Sequence, residues 1–471
     1  MKQRVRIERD TMGEVQVPAD AYYGAHTQRA IENFPISNLR FPRRFIQALG
    51  LIKLVSAEVN VELGLLDPRF GAAIARAARE VADGKLDSQF PVDIFQTGSG
   101  TSTNMNANEV IAGRANELLE GKKGGKEPVH PNDHVNLGQS SNDVIPTTIH
   151  LSALLAIQQE LLPAITILRD ALLEKSRQLM PVVKTGRTHL QDATPIRLGQ
   201  EFLGFAGQVE RGIRCIESTQ RELQEVALGG TAVGTGINTH PEFSRRCCER
   251  LSILTGIQIW ETDNHFQAQS TIDGAVQFHG VLNGLAVALM KIANDIRWLG
   301  SGPRAGIGEI ALPAVQPGSS IMPGKVNPVI AESLAMVCAQ VMGNHTTITV
   351  AGQSGNFELN VMLPIAAYSL LQSIELLASA SRNFTERLVV GVEATKRGPE
   401  MVERGLAIAT GLVSAVGYDM AAEIAKEAAR TGRTVRSVAQ QKTNLSAKEL
   451  DRLLDPTAMT QPGHHLGPSS S

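Results

Sequence analysis

Four short segments concentrate side chains able to hold a small anion. They are Thr97-Gly98-Ser99-Gly100-Thr101, Gln139-Ser140-Ser141-Asn142-Asp143, Gly186-Arg187-Thr188-His189-Leu190-Gln191-Asp192 and Gly318-Ser319-Ser320-Ile321-Met322-Pro323-Gly324-Lys325-Val326-Asn327. Hydroxyls, amides and backbone N–H groups in such loops suit carboxylates, and Lys325 adds a full positive charge. One cluster alone would read as a helix cap. Ser140-Ser141-Asn142 precedes a long helical pattern, where capping and anion binding are compatible. Four clusters with a lysine, a histidine and flexible glycines fit a site for a small, anionic, oxygen-rich ligand. Periodicity does not say whether the loops meet in space.

Other signatures fail on spacing. Five residues separate Gly318 from Gly324-Lys325, and Val326 stands where a phosphate loop needs Ser or Thr. Gly98-Ser99-Gly100 lacks the third glycine of a dinucleotide fingerprint. His130 and His134 are four apart, but Pro131 opposes a helix continuing through them and no glutamate completes a zinc motif. A hydrogen-bonding role suits that pair better than a metal. No GxSxG elbow is present.

The elements that must carry these loops are mostly helical. Leu151, Leu155, Leu162, Ile165, Leu168 and Leu172 recur on one helix face within 146–176, with Pro163 as an expected kink. Further helical patterns cover 266–299, 331–350 and 363–386. Ala275, Gly280, Gly284, Ala286, Ala288 and Ala293 would let neighbouring helices approach closely. Helices apolar on more than one face predict burial in a bundle, including burial between subunits. Smaller helices are expected at 421–431 and 446–454, the latter capped by Ser446 with Glu449 three residues on. The tail 463–471 reads as frayed. This texture divides the chain into 1–138, a turn-rich N-terminal domain, 139–395, a central long-helix domain, and 396–471, a small helical C-terminal domain.

Composition agrees with a helical, aliphatic core: 42% of residues are hydrophobic and only 4% aromatic. The formal net charge of -2 creates no field to recruit nucleic acid or an acidic membrane. Cys215, Cys247, Cys248 and Cys338 form no CxxC pair, so free thiols in a reducing cytoplasm are expected. Residues 1–10 carry no apolar leader pattern. Of the apolar runs, 281–293 is interrupted by Asn283 and Lys291 and 406–416 is short, so no membrane span is expected.

The run 318–327 resembles the signature of the fumarase/aspartase superfamily. The resemblance covers nearly the whole chain, through Pro18-Ala19-Asp20-Ala21-Tyr22-Tyr23-Gly24, Gly229-Gly230-Thr231-Ala232-Val233-Gly234-Thr235-Gly236 and Gly417-Tyr418-Asp419. It implies a mainly α, three-domain fold whose long central helices assemble into a tetrameric helix core, with each active site drawn from three subunits. Thr97-Gly98-Ser99-Gly100-Thr101, Ser140-Ser141-Asn142 and Gly355-Asn356-Phe357-Glu358-Leu359-Asn360 resemble the class II fumarase branch. Aspartases tend to carry Gly-Gly-Ala-Gly-Thr and Ser-Thr-Asn at the first two places. The implied reaction is reversible hydration of fumarate to (S)-malate by anti addition through an aci-carboxylate intermediate. The alternatives are an aspartate ammonia-lyase on the same scaffold, or a recruited, non-enzymatic member such as a lens crystallin.

The resemblance also implies roles. Ser319 is the base toward the C–H bond, His189 acts on the hydroxyl side, and Glu332 is the carboxylate that pairs with this histidine. Substrate binding falls to Ser99, Gly100, Thr101, Ser140, Ser141, Asn142, Thr188, Ser320, Lys325, Val326 and Asn327. Asn327 suits either substrate or the turn of the lid, and Ser320 is expected to act through its backbone N–H. A secondary dicarboxylate site is implied near His130, Asn132 and Asp133. There Glu127 stands where a basic residue is usual, which should weaken binding of a dianion. No metal or organic cofactor is expected, and no iron–sulfur cysteine spacing occurs.

Overall fold

The computed structural model describes residues 4–463; the tail expected to fray lies almost wholly beyond them. Helices dominate. Ser141–Ala156 runs through a π-helical turn, Ile157–Leu161, into Leu162–Leu179. Leu198–Thr219, Asp273–Leu299, Val329–Gly352 and Leu363–Arg387 are the other long central helices. The π turn falls just before Pro163, whose ring and missing N–H disturb the normal ladder, so the proline marks a local change of winding. The single pattern expected over 266–299 is two helices. His265–Ser270 ends at Thr271, which is extended (φ -127°, ψ 170°), and Asp273–Leu299 follows. Leu198–Thr219 is a long helix that the sequence reading did not single out.

The chain divides into two compact units. One holds Met1–Pro163, Gly212–Ala286 and Val337–Ala378, and the other Ala164–Arg211, Val287–Met336 and Ser379–Ser471. The boundaries fall within the long helices.

In the first unit, Arg43–Glu62 packs against Pro68–Ala82, Ser141–Ala156 and Phe243–Thr255. A Cβ at Gly50 would lie 2.7 Å from the Ala82 nitrogen, so glycine lets the first two helices approach closely. At the N-terminus, strands Val5–Asp10 and Gly13–Pro18 pair antiparallel, and Arg6 ties the hairpin to the carbonyls of Pro18, Ala21 and Tyr23.

In the second unit, strands Val183–Thr188 and Gln191–Arg197 form a hairpin. The C-terminal module packs Tyr418–Thr431, Val435–Lys442 and Ala447–Leu453 around Leu412, Ile424, Val438, Leu450 and Leu453. The Ser446–Glu449 capping box forms as the sequence predicts.

Three stretches, Ser141–Leu179, Asp273–Leu299 and Leu363–Gly391, are long and apolar enough to cross a membrane by length and composition. This corrects the reading of interrupted runs: averaged over a whole helix, isolated polar residues no longer interrupt them. Some of those polar groups bond to other helices. His279 Nε2 lies 2.8 Å from Ser373 Oγ, which also accepts from Asn344 Nδ2 at 3.0 Å.

Candidate active site

The first unit brings two of the four polar loops together. Gly100, at φ 74°, caps Thr101–Glu120, and its N–H donates to the Thr97 carbonyl at 2.8 Å. Ser99 is buried, with its Oγ 2.8 Å from Thr101 Oγ1. A Cβ at Gly98 would sit 1.8 Å from the Val361 carbonyl oxygen, so only glycine fits this crossing of backbones. From the helix that Gly100 starts, Asn104 Nδ2 donates to Ser141 Oγ at 3.0 Å, linking the first loop to the second.

The second loop performs the capping role in full. Ser140 Oγ accepts from the Asn142 N–H, and Asp143 Oδ1 accepts from the Ser140 N–H. Asp143 is fully buried, and its Oδ2 accepts from Gly229 N and Thr231 N, both at 3.0 Å. Burial pushes its carboxyl above the usual range, against the pull of those three amides and of Lys53. Asn142 Nδ2 donates to the Ala232 carbonyl at 2.7 Å. The glycine-rich 229–236 segment is therefore a support for the second loop.

The second unit carries the other two loops. His189 (φ 56°) and Leu190 (φ 59°) form the two-residue tip of the Val183–Arg197 hairpin. Both central residues take the left-handed geometry of a tight hairpin turn, which usually selects Asn or Gly. A histidine and a leucine held there are strained and exposed, as residues at working sites often are. Thr188, beside them, is exposed too.

Below the tip, the hairpin is anchored by buried charge. Arg187 donates to both oxygens of Glu309 at 2.9 and 2.8 Å, and Lys184 Nζ lies 3.1 Å from Glu309 and 2.8 Å from Glu201. A cavity of about 750 Å³ opens beside His189, lined also by Arg187, Gln200, Phe205, Lys291 and Trp298.

The 318–327 loop is closed by its own backbone. Gly318 N donates to the Lys325 carbonyl at 2.8 Å, and Asn327 Nδ2 donates to the Gly318 carbonyl at 2.7 Å. That bond places the Asn327 side chain on the turn of the loop. Ser319 Oγ accepts from the N–H groups of Ile321 (3.2 Å) and Met322 (3.0 Å). Two amide donors on a hydroxyl oxygen favour its ionised form. Ser320, Lys325 and Val326 are exposed, while Glu332 lies in the first turn of Val329–Gly352. Among the described residues, no hydrogen bond or ion pair joins His189, Glu332 and Ser319.

The His130 segment is self-contained. Pro131 opens a π-helical turn, Pro131–Val135, and His130 caps it. His130 Nδ1 accepts from the Asp133 N–H at 3.2 Å, and His134 Nδ1 accepts from the His130 N–H at 2.9 Å. Asn132, Asp133 and Glu127 are exposed.

The supporting residues escaped sequence reasoning. Lys53 offered a signal, as a lone lysine inside the apolar run Leu49-Gly50-Leu51-Ile52-Lys53-Leu54-Val55. Glu309 offered none.

A helical fold and loops of this chemistry define a lyase scaffold, and the family model described as "Lyase" matches residues 13–343. A second, described as "Fumarase C C-terminus", matches 408–461. The class II fumarate hydratase of Xylella fastidiosa is 54% identical over 98% of this chain and 97% of its own. "Fumarate hydratase class II 2" of Bradyrhizobium diazoefficiens is 52% identical, covering 97% of both chains. The crystal structure of class II fumarase from Schistosoma mansoni superposes with a TM-score of 0.95 at 39% identity, over 97% of this chain and 99% of that one. The chain belongs to the class II fumarate hydratase family.

Proposed function

We propose that the protein catalyses the reversible hydration of fumarate to (S)-malate, a step of the tricarboxylic acid cycle. The observation that carries this reading is identity above 50% to class II fumarate hydratases along nearly the full chain. The polar loops supply the chemistry.

In the dehydration direction, Ser319 as alkoxide takes the proton from the carbon next to a carboxylate. The electron pair moves into that carboxylate to give the aci-carboxylate intermediate. The intermediate then expels the neighbouring hydroxyl, which leaves as water with a proton from His189, and Glu332 supports the charged histidine. A serine is a weak base unless its alkoxide is stabilised, and the Ile321 and Met322 amides are placed to do so. Lys325 adds positive charge from the same loop. Ser99, Gly100, Thr101, Ser140, Ser141, Asn142, Thr188, Ser320, Val326 and Asn327 form the remaining carboxylate-binding set. His130, Asn132 and Asp133 make the weaker second site.

A homotetramer completes the proposal. Leu203, Val287, Trp298, Met336 and Val350 expose apolar surface on the long helices, which supports burial against further copies. With active sites shared between three subunits, His189, Glu332 and Ser319 from different copies can meet. The reaction needs no cofactor in this scheme. Four free thiols favour a cytoplasmic setting.

The test supplies the purified protein with malate alone and follows the ultraviolet absorbance of fumarate. Aspartate is run in parallel. Fumarate formed from malate supports the reading; fumarate formed only from aspartate, or from neither, overturns it.

A further inference from the structure

Beneath the second polar loop lies a buried lysine that the mechanism does not use. Lys53 is fully buried on Arg43–Glu62, and its Nζ donates to Asn136 Oδ1 and Gln139 Oε1, both at 2.9 Å. Asn136 returns its amide to the Gln139 carbonyl at 3.1 Å, and its Oδ1 also accepts from Asn108 at 3.1 Å. Gln139 Nε2 donates to the carbonyls of Val135 and Leu137. The turn that leads directly into Ser140, Ser141 and Asn142 is thus built around one ammonium group. At the other end of the same segment stands Asp143, the carboxylate whose charge opposes that ammonium.

We propose that Lys53 is a positioning residue for the carboxylate-binding loop: its ammonium orders the 136–139 turn and supplies positive charge behind Ser140, Ser141 and Asn142. The proposal rests on the assignment of that loop to the substrate. A buried charge costs much free energy unless paired, and replacing such a charge together with its polar partners by apolar side chains often costs little. Here the cost is matched to a site that receives a dianion. Low-dielectric surroundings strengthen attraction between the ammonium and a bound carboxylate.

Burial pulls the Lys53 ammonium down to about 7, with Asp143 opposing the fall. Around it, Ser141–Ala156 presents Asp143 and Thr101–Glu120 presents the neutral Asn104 and Asn108. On Phe243–Thr255, Cys247 lies by Ser56 and Asp143, a thiol that burial holds well above its usual range, and Arg250 pairs with Glu58 farther along the lysine's helix. Pro68–Ala82 meets the lysine's helix through Ala78 and Ala82 at Gly50. In the 131–139 turn, Asn136 and Gln139 face Nζ, while His134 accepts from the His130 amide and its ring meets Phe70 at a tilt. The sign of the linkage follows. Protonated Lys53 favours a bound dianion, so KM is lowest below about pH 7 and rises as the free enzyme loses this proton.

The experiment measures KM and kcat for malate against pH in the full-length protein, Lys53→Met and Gln139→Glu, with Asn142→Ala as control. Lys53→Met should raise KM by about tenfold while kcat stays within about threefold, and should flatten the alkaline rise in KM. Gln139→Glu places a carboxylate beside Nζ and should move that rise to higher pH. If Lys53→Met fails to fold, Gln139→Glu decides alone. An unchanged KM in Lys53→Met, or an alkaline rise left in place by Gln139→Glu, overturns the proposal. A raised KM in Asn142→Ala beside an unchanged one in Lys53→Met confines the failure to Lys53. An unchanged KM in Asn142→Ala overturns the assignment of the loop itself.

Discussion

Replacing Glu309 by glutamine should loosen the hairpin that presents Thr188 and His189. Glu309 is buried to 1% exposure and accepts two bonds from Arg187 with a third contact from Lys184. Glutamine keeps the volume and one acceptor oxygen but removes the charge and turns an NH2 group toward two cations. Breaking a buried ion pair by removing one partner costs about 3–5 kcal/mol, because the other charge stays buried. Two details favour the lower end. Lys184 keeps Glu201 at 2.8 Å and the Thr185 carbonyl at 2.9 Å, and the Arg187 side chain is 20% exposed and can recruit water. The expected loss is about 3 kcal/mol, read from urea unfolding at matched protein concentration. A displaced hairpin also misplaces the imidazole, and kcat should fall roughly tenfold to a hundredfold. A control at the surface pair Lys291–Asp295 should cost under about 1 kcal/mol. A Glu309→Gln protein within about 1 kcal/mol of the parent and with unchanged kcat would refute the idea that this charge cluster anchors the catalytic tip.

Other perturbations separate the remaining roles. Ser319→Ala should lower kcat by roughly 10²–10⁴-fold in steady-state turnover while the protein melts like the parent, since Oγ bonds only loop amides. Gly98→Ala drives a Cβ to 1.8 Å from the Val361 carbonyl, so it should cost about 2 kcal/mol or more and raise KM by moving Ser99; thermal melts and initial rates check both. His279 is held down to about 3 by burial and by His345 beside it. Its folded value lies below its unfolded one, so its contribution to stability is present above about pH 6.5 and is lost as pH falls toward 3. His279→Gln should therefore flatten the acid limb of stability against pH, and an acid limb unchanged in urea titrations at stepped pH would count against it.

Much of this chain was legible because its local signals agree with its long-range packing. Helical spacing in 146–176 and 363–386 is set by an apolar face, and a face is visible in sequence. The break at Thr271 is marked in the sequence only by the polar run Gln269-Ser270-Thr271, since helical pattern lies on both sides of it and the change itself is in the backbone. The loops were legible as chemistry, since Ser, Asn, Gly and Lys crowd into short windows. Their mutual placement was not, because spacing along the chain carries no record of which loops fold together. Asn104 reaches Ser141 across 37 residues, and Arg187 reaches Glu309 across 122. Two kinds of charge act in this protein. Lys325 is exposed on a loop, where it can meet a ligand directly. Lys53 and Glu309 are buried, where each shapes a loop that it does not belong to. A buried charge must satisfy all its partners to be tolerated, so its position is fixed more tightly than that of an exposed one. That is why substitution at Lys53 or Glu309 should act through the geometry of Ser141 and His189 rather than by removing an atom that itself meets the substrate.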